Sequence, residues 1–102
     1  MRLQGKTAII TGAGSGIGLA TVRKFLAEGA QVFATDINES SLESLVREFP
    51  EVAAQPGDVS QPAEAEALVA AAMSKWGRLD ILVNSAGITA RNVAADASLE
   101  ER

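Results

Sequence analysis

Apolar positions along this chain alternate between two spacings. Residues 7–11 (TAIIT) are short, β-branched and apolar on both faces, as in a buried strand. Over residues 15–28 the spacing turns helical. Ile17, Ala20, Thr21 and Phe25 share one stripe, Val22 and Leu26 widen it, and Gly29 stands where a glycine ends a helix. Residues 31–36 predict a second strand that ends in an acid, Asp36. Asn38 is placed to cap a second helix, with Ile37 and Leu42 spaced as a hydrophobic staple across the cap. Leu42, Leu45, Val46 and Phe49 then recur at helical spacing until Pro50 blocks continuation. Residues 52–55 predict a short third strand before Pro56-Gly57. Ser60 is placed to cap a third helix, with Pro62, Glu64 and Glu66 near its first turn. Ala65, Leu68, Val69, Ala72, Met73 and Trp76 make its apolar stripe, and Gly77 ends it. Residues 80–84 predict a fourth strand.

Strand and helix therefore alternate with short joints. That order implies right-handed βαβ units and a parallel sheet. No linker or internal repeat suggests a second domain. Near the end, Ser98 and Glu101 form a capping box that announces a helix, yet the chain stops at Arg102. A start signal without its helix is expected of a chain that has been cut.

Composition narrows the function. The chain has 102 residues, enough for one small domain, with no apolar run near the roughly 20 residues of a membrane helix. The N-terminus lacks the apolar core of a signal peptide, so a cytoplasmic location is expected. Cys and His are both absent, which removes disulfides, thiolate ligands and the usual zinc donors, so no metal site is expected. Net charge is −4 and the nine Lys and Arg are scattered, which argues against nucleic acid as partner. Backbone N–H groups at a helix start can still hold a small anion.

The chemistry concentrates between the first strand and the first helix, at Gly12-x-x-x-Gly16-x-Gly18. This is neither Gly-x-Gly-x-x-Gly nor a P-loop. Gly12 suits a tight turn off the strand, Gly16 a close approach of backbone to pyrophosphate, and Gly18 close packing of helix on sheet. Asp36 follows Gly18 by 18 residues, near the roughly 20-residue offset of an acid that bonds a ribose 2′-hydroxyl. A 2′-phosphate would be repelled there. The positions where a basic residue would compensate hold Ser15 and Ile37, so NAD is expected in preference to NADP.

Thr11-Gly-x-x-x-Gly-x-Gly18, then Asp58-Val59, then Asn84-Ser85-Ala86-Gly87 resembles, in order and spacing, the short-chain dehydrogenase/reductase family. The family pattern has a second Asn where this chain has Ser85. The resemblance implies a Rossmann-type, doubly wound α/β fold. The chain would be the N-terminal part of one NAD-binding domain, with three helices and the first four strands in the order 3-2-1-4. It implies that Gly12, Ser15, Gly16, Ile17 and Gly18 lie along the pyrophosphate and its ribose. Asp36 would hold the adenosine ribose, and Ile37 would line the adenine side. Asp58 and Val59 would flank the adenine. Asn84 would brace the central strand, and Ala86 and Gly87 would approach the nicotinamide ribose. The family's activity is hydride transfer between a nicotinamide and a secondary alcohol or ketone, and a homo-oligomer is expected of the longer protein.

The family's catalytic residues are a Ser, a Tyr-x-x-x-Lys pair and an Asn on the helix after the fourth strand. None can be placed here: the chain contains no Tyr, so no catalytic residue is assigned. Three readings follow. The chain is the cofactor-binding part of an oxidoreductase, a binding module without turnover, or a structural half that pairs through its fourth strand. With nothing beyond that strand, its apolar edge is expected to make the isolated chain marginally stable or associating. Light scattering that shows a monomer melting cooperatively would contradict this.

Overall fold

A computed structural model describes residues 2–85. The elements run β1 (Thr7–Thr11), α1 (Gly16–Ala27), β2 (Gln31–Ala34), α2 (Glu39–Glu48), β3 (Ala53–Ala54), α3 (Pro62–Trp76) and β4 (Ile81–Asn84). The strands form one parallel sheet in the order β3-β2-β1-β4, as expected. Ile9 lies opposite Phe33 of β2 and Leu82 of β4.

β1 is central because every one of its residues tolerates burial on both sides. All five are buried. Ile10 turns to a cluster with Val22 of α1, Val32 and Ala34 of β2, and Leu42 and Leu45 of α2. Ile9 turns to the opposite face, with Phe33, Leu68 and Ala72, so α3 covers that side. Complete burial of each isoleucine contributes roughly 1.5–3 kcal/mol. Trp76 closes the α3 side by meeting Phe33 edge-on at 6.1 Å between ring centroids.

The glycines and caps act largely as the sequence suggests. Gly29 and Gly77 have φ of 93° and 77°, the left-handed region that ends helices. Asn38 caps α2 by accepting the Ser41 N–H at 3.0 Å. Four details differ. The second strand stops at Ala34, leaving Asp36 in the loop beyond it. The third strand is only two residues long, because Val52 is taken into the α1–α2 core instead. The α1 stripe centres on Val22 and Gly18; Ile17 is 58% exposed. Ile37 is 70% exposed and does not serve as a buried staple partner for Leu42.

At the N-terminal end of the sheet, Asp80 ties β4 to β1. Its Oδ2 accepts the Thr7 N–H at 2.8 Å and the Arg78 guanidinium at 3.0 Å, while Arg78 also donates to the Gly5 carbonyl at 2.7 Å. These bonds, Thr7 first, hold the Asp80 carboxyl below its ordinary value. A depressed folded pKa adds stability above the unfolded value of about 4, and that stability is lost as pH falls through the folded pKa. Denaturant melts at pH 5 and pH 3 should therefore show a smaller acid loss for Asp80→Asn than for the wild type. Equal losses would mean that the bonds add nothing.

Among the described residues β4 pairs on one side only, with β1. Leu82, beside Ile9 on the α3 face, is 52% exposed.

Candidate functional site

Chain direction reverses across the sheet between β1 and β4. From β1 the chain moves outward to β2 and β3, then crosses back through α3 to β4 on the other side. In parallel α/β sheets the loops at such a point diverge and leave a crevice at the carboxyl ends of the strands. A cavity of about 520 Å³ lies there. It is walled by Gly12 and Ser15 after β1, Asp36 and Ile37 after β2, Asp58 and Val59 after β3, and Asn84 at the end of β4.

The turn after β1 owes its shape to glycine. Gly12 and Gly16 have φ of 61° and 56°, where a side chain would be strained. A Cβ on Gly16 would meet nothing within 4 Å, so only its backbone conformation calls for glycine. Gly18 is the opposite case: a Cβ there would lie 1.9 Å from the Gly12 carbonyl oxygen. Its absence lets α1 start directly against the end of β1. Ser15, the N-cap, makes no side-chain cap bond, and the first turn carries no acid. The start of α1 thus carries the positive end of the helix dipole with no side-chain cap, and Ser15, Ile17 and Gly18 line the cavity there. A helix start of this kind can hold a small anion.

Asp36 is held by two backbone donors. Gly14 N–H donates to Oδ2 at 2.8 Å, and Asn38 N–H donates to Oδ1 at 2.9 Å. Each carboxylate oxygen keeps a lone pair free for a second donor such as a hydroxyl. The Gly14 bond also joins the glycine turn to the end of β2, as does Ala13 N–H to the Thr35 carbonyl at 3.0 Å. A Cβ on Gly14 would fall 2.5 Å from the Ser41 Cβ and 3.0 Å from Asp36 Oδ2. Gly14 is thus a site residue that motif reading passed over, because the family pattern leaves its position open.

The third wall, residues 57–60, departs from expectation. Ser60 does not cap α3. The N-cap is Gln61, without a side-chain cap bond. Ser60 instead donates its N–H at 3.0 Å and its hydroxyl at 2.6 Å to Asp58 Oδ1. These two bonds, the hydroxyl first, hold the Asp58 carboxyl below its usual value. Gly57 N–H donates to the Asp36 carbonyl at 3.2 Å, and Thr35 Oγ1 to the Gln55 carbonyl at 2.6 Å. The loops bearing the two acids are therefore stitched together.

On the fourth wall Thr11 Oγ1 donates to Asn84 Oδ1 at 2.9 Å, joining the ends of β1 and β4. The Ser85 hydroxyl donates to the Thr11 carbonyl. Ser85, the departure from the family pattern, thus makes a strand-end bond of its own. Of the residues singled out in the sequence, Gly12, Ser15, Ile17, Gly18, Asp36, Ile37, Asp58, Val59 and Asn84 line the cavity, whereas Gly16, between Ser15 and Ile17, does not. Ala86 and Gly87 lie outside the described residues. Thr35, Gly57, Ser60 and Ser85 also line it without having been anticipated as ligand contacts. Among the described residues no cluster of three or more potential metal ligands occurs, and no helix is long and apolar enough to cross a membrane.

A strand, glycine turn and helix facing an acid in the loop after the next strand define a Rossmann-type nucleotide-binding fold. The family model described as short chain dehydrogenase matches residues 6–101, and the chain belongs to that family. It is 45% identical over 96 residues to a 3-oxoacyl-(acyl-carrier-protein) reductase from Thermotoga maritima, covering 87% of this chain and 38% of that protein. Among solved structures, it is similar to a 3-ketoacyl-(acyl-carrier-protein) reductase from Brucella melitensis complexed with NADH, with 41% identity and a TM-score of 0.74. That match covers 78% of this chain and 33% of the other. A short chain dehydrogenase/reductase from Burkholderia phymatum in complex with NAD is 35% identical with a TM-score of 0.76, covering 80% and 31%. The chain thus spans about a third of the length of the relatives it matches.

Proposed function

We propose that this chain is the cofactor-binding part of an oxidoreductase that moves hydride between a nicotinamide dinucleotide and a secondary alcohol or ketone, with NAD preferred to NADP. One observation carries the reading. The cavity has side-chain-free helix donors on one wall and a carboxylate, preset by two amides, on the next. Those two features suit a pyrophosphate and a ribose diol respectively.

The nicotinamide, when bound, supplies the hydride chemistry. The residues of this chain bind and orient. Gly12, Ser15, Gly16 and Ile17 at the start of α1 would receive the pyrophosphate, and Asp36 the adenosine ribose. Ile37, Asp58 and Val59 would enclose the adenine. The Asp58 carboxyl, held below its usual value by the Ser60 hydroxyl and N–H, would serve as an acceptor. Asn84 would hold β4 in register beside the reacting end, with Ala86 and Gly87 following it. No cation stands at position 15 or 37 to neutralise a 2′-phosphate.

A second reading, a binding module without turnover, is favoured by the absence of Tyr and His from these 102 residues. Reading the coding DNA past codon 102 separates the two. An open frame that reaches Tyr-x-x-x-Lys supports the oxidoreductase, and a stop at that point supports the module.

A further inference from the structure

Glu64 occupies the third position after the N-cap of α3, where a glutamate ordinarily reaches back to the N-cap N–H. Here it reaches further. Its Oε1 accepts the Asp58 N–H at 2.6 Å. The N-cap residue, Gln61, donates its own N–H to the Asp58 carbonyl at 3.0 Å. Asp58 is thus gripped at both backbone groups by the start of α3. Gly57 leaves room for this, since a Cβ there would lie 3.3 Å from Glu64 Oε1. Residues 57 and 58 belong to no strand or helix, so these bonds set where the third cavity wall stands. A bond to a carboxylate is shorter and stronger than a neutral one.

We infer that Glu64 is a positioning residue for the adenine side of the site: it holds the Asp58 backbone, and through Gly57 the Asp36 loop, in the binding arrangement. Glu64 acts through Asp58 and need not touch the ligand. The inference rests on the cofactor reading above. By its position in the sequence Glu64 is only an acid suited to the helix dipole.

Calorimetric titration of the full chain with AMP and with NAD tests it, using Glu64→Ala, Glu64→Gln and Glu66→Ala. Glu64→Ala should weaken both ligands about tenfold. Glu64→Gln loses the same charge but keeps an accepting oxygen, and should stay within about threefold of the wild type. Glu66→Ala removes a charge near the start of α3 without touching the Asp58 bond, and should bind normally. Hydrogen exchange reads the bond without ligand: the Asp58 amide should be protected in the wild type and Glu64→Gln, and exchange fast in Glu64→Ala. Normal binding by Glu64→Ala, or Glu64→Gln as weak as Glu64→Ala, overturns the positioning role alone. A wild-type chain that binds neither AMP nor NAD overturns the cofactor reading, and this role with it.

Discussion

Gly18→Ala is expected to cost about 3 kcal/mol or more, the upper range for overpacking a filled site. The added Cβ would lie 1.9 Å from the Gly12 carbonyl oxygen and 2.6 Å from its carbon. Both are backbone atoms, so no rotamer change relieves the clash. Either α1 moves away from the sheet, carrying Val22 out of the core around Ile10, or the turn at Gly12 opens. The first loses burial and the second destroys the cavity wall. Gly16→Ala is the control. It pays for a left-handed backbone, about 1 kcal/mol, but meets no neighbour. Urea melts of the two variants should differ clearly in midpoint. Equal stability would show that α1 does not rest on β1 as described.

Asp36→Ala should weaken NAD roughly 10- to 100-fold, the worth of a hydrogen bond to a charged group. NADP should lose far less, because the same change removes the charge that repels a 2′-phosphate. The ratio of the two affinities is the informative quantity. A general loss of structure weakens both ligands alike, whereas loss of a discriminating carboxylate narrows or inverts their ratio. The substitution also leaves the Gly14 and Asn38 amides without their acceptor, so part of the NAD loss comes through the glycine turn. Parallel titrations that show equal fractional losses would remove Asp36 from the discrimination.

The strand–helix order and the sheet order were legible because burial enforces them. Residues 7–11 are apolar on both faces and can stand only in the middle of a covered sheet. Gly29 and Gly77 sit where a side chain would be strained. Periodicity failed where a residue had a local alternative. Ser60 fits the pattern of a helix cap, but α3 starts one residue later with Gln61 at its cap, and Ser60 turns back to donate to Asp58. Ile17 and Ile37 fit the spacing of a buried stripe and a staple, yet both are exposed and line the cavity, where the family resemblance rather than the periodicity had put them. The roles of Gly14 and Glu64 are not legible in the sequence for a different reason. Each acts on a residue distant in sequence or outside its expected cap, through a backbone amide that no sequence pattern marks.

Side-by-side calorimetric titration of the wild-type chain with NAD and NADP tests the central claim most directly. A crevice built from the glycine turn, Asp36 and the 57–60 wall predicts saturable one-to-one binding of NAD, with NADP at least about tenfold weaker. No heat with either ligand, or NADP bound as tightly as NAD, would contradict it.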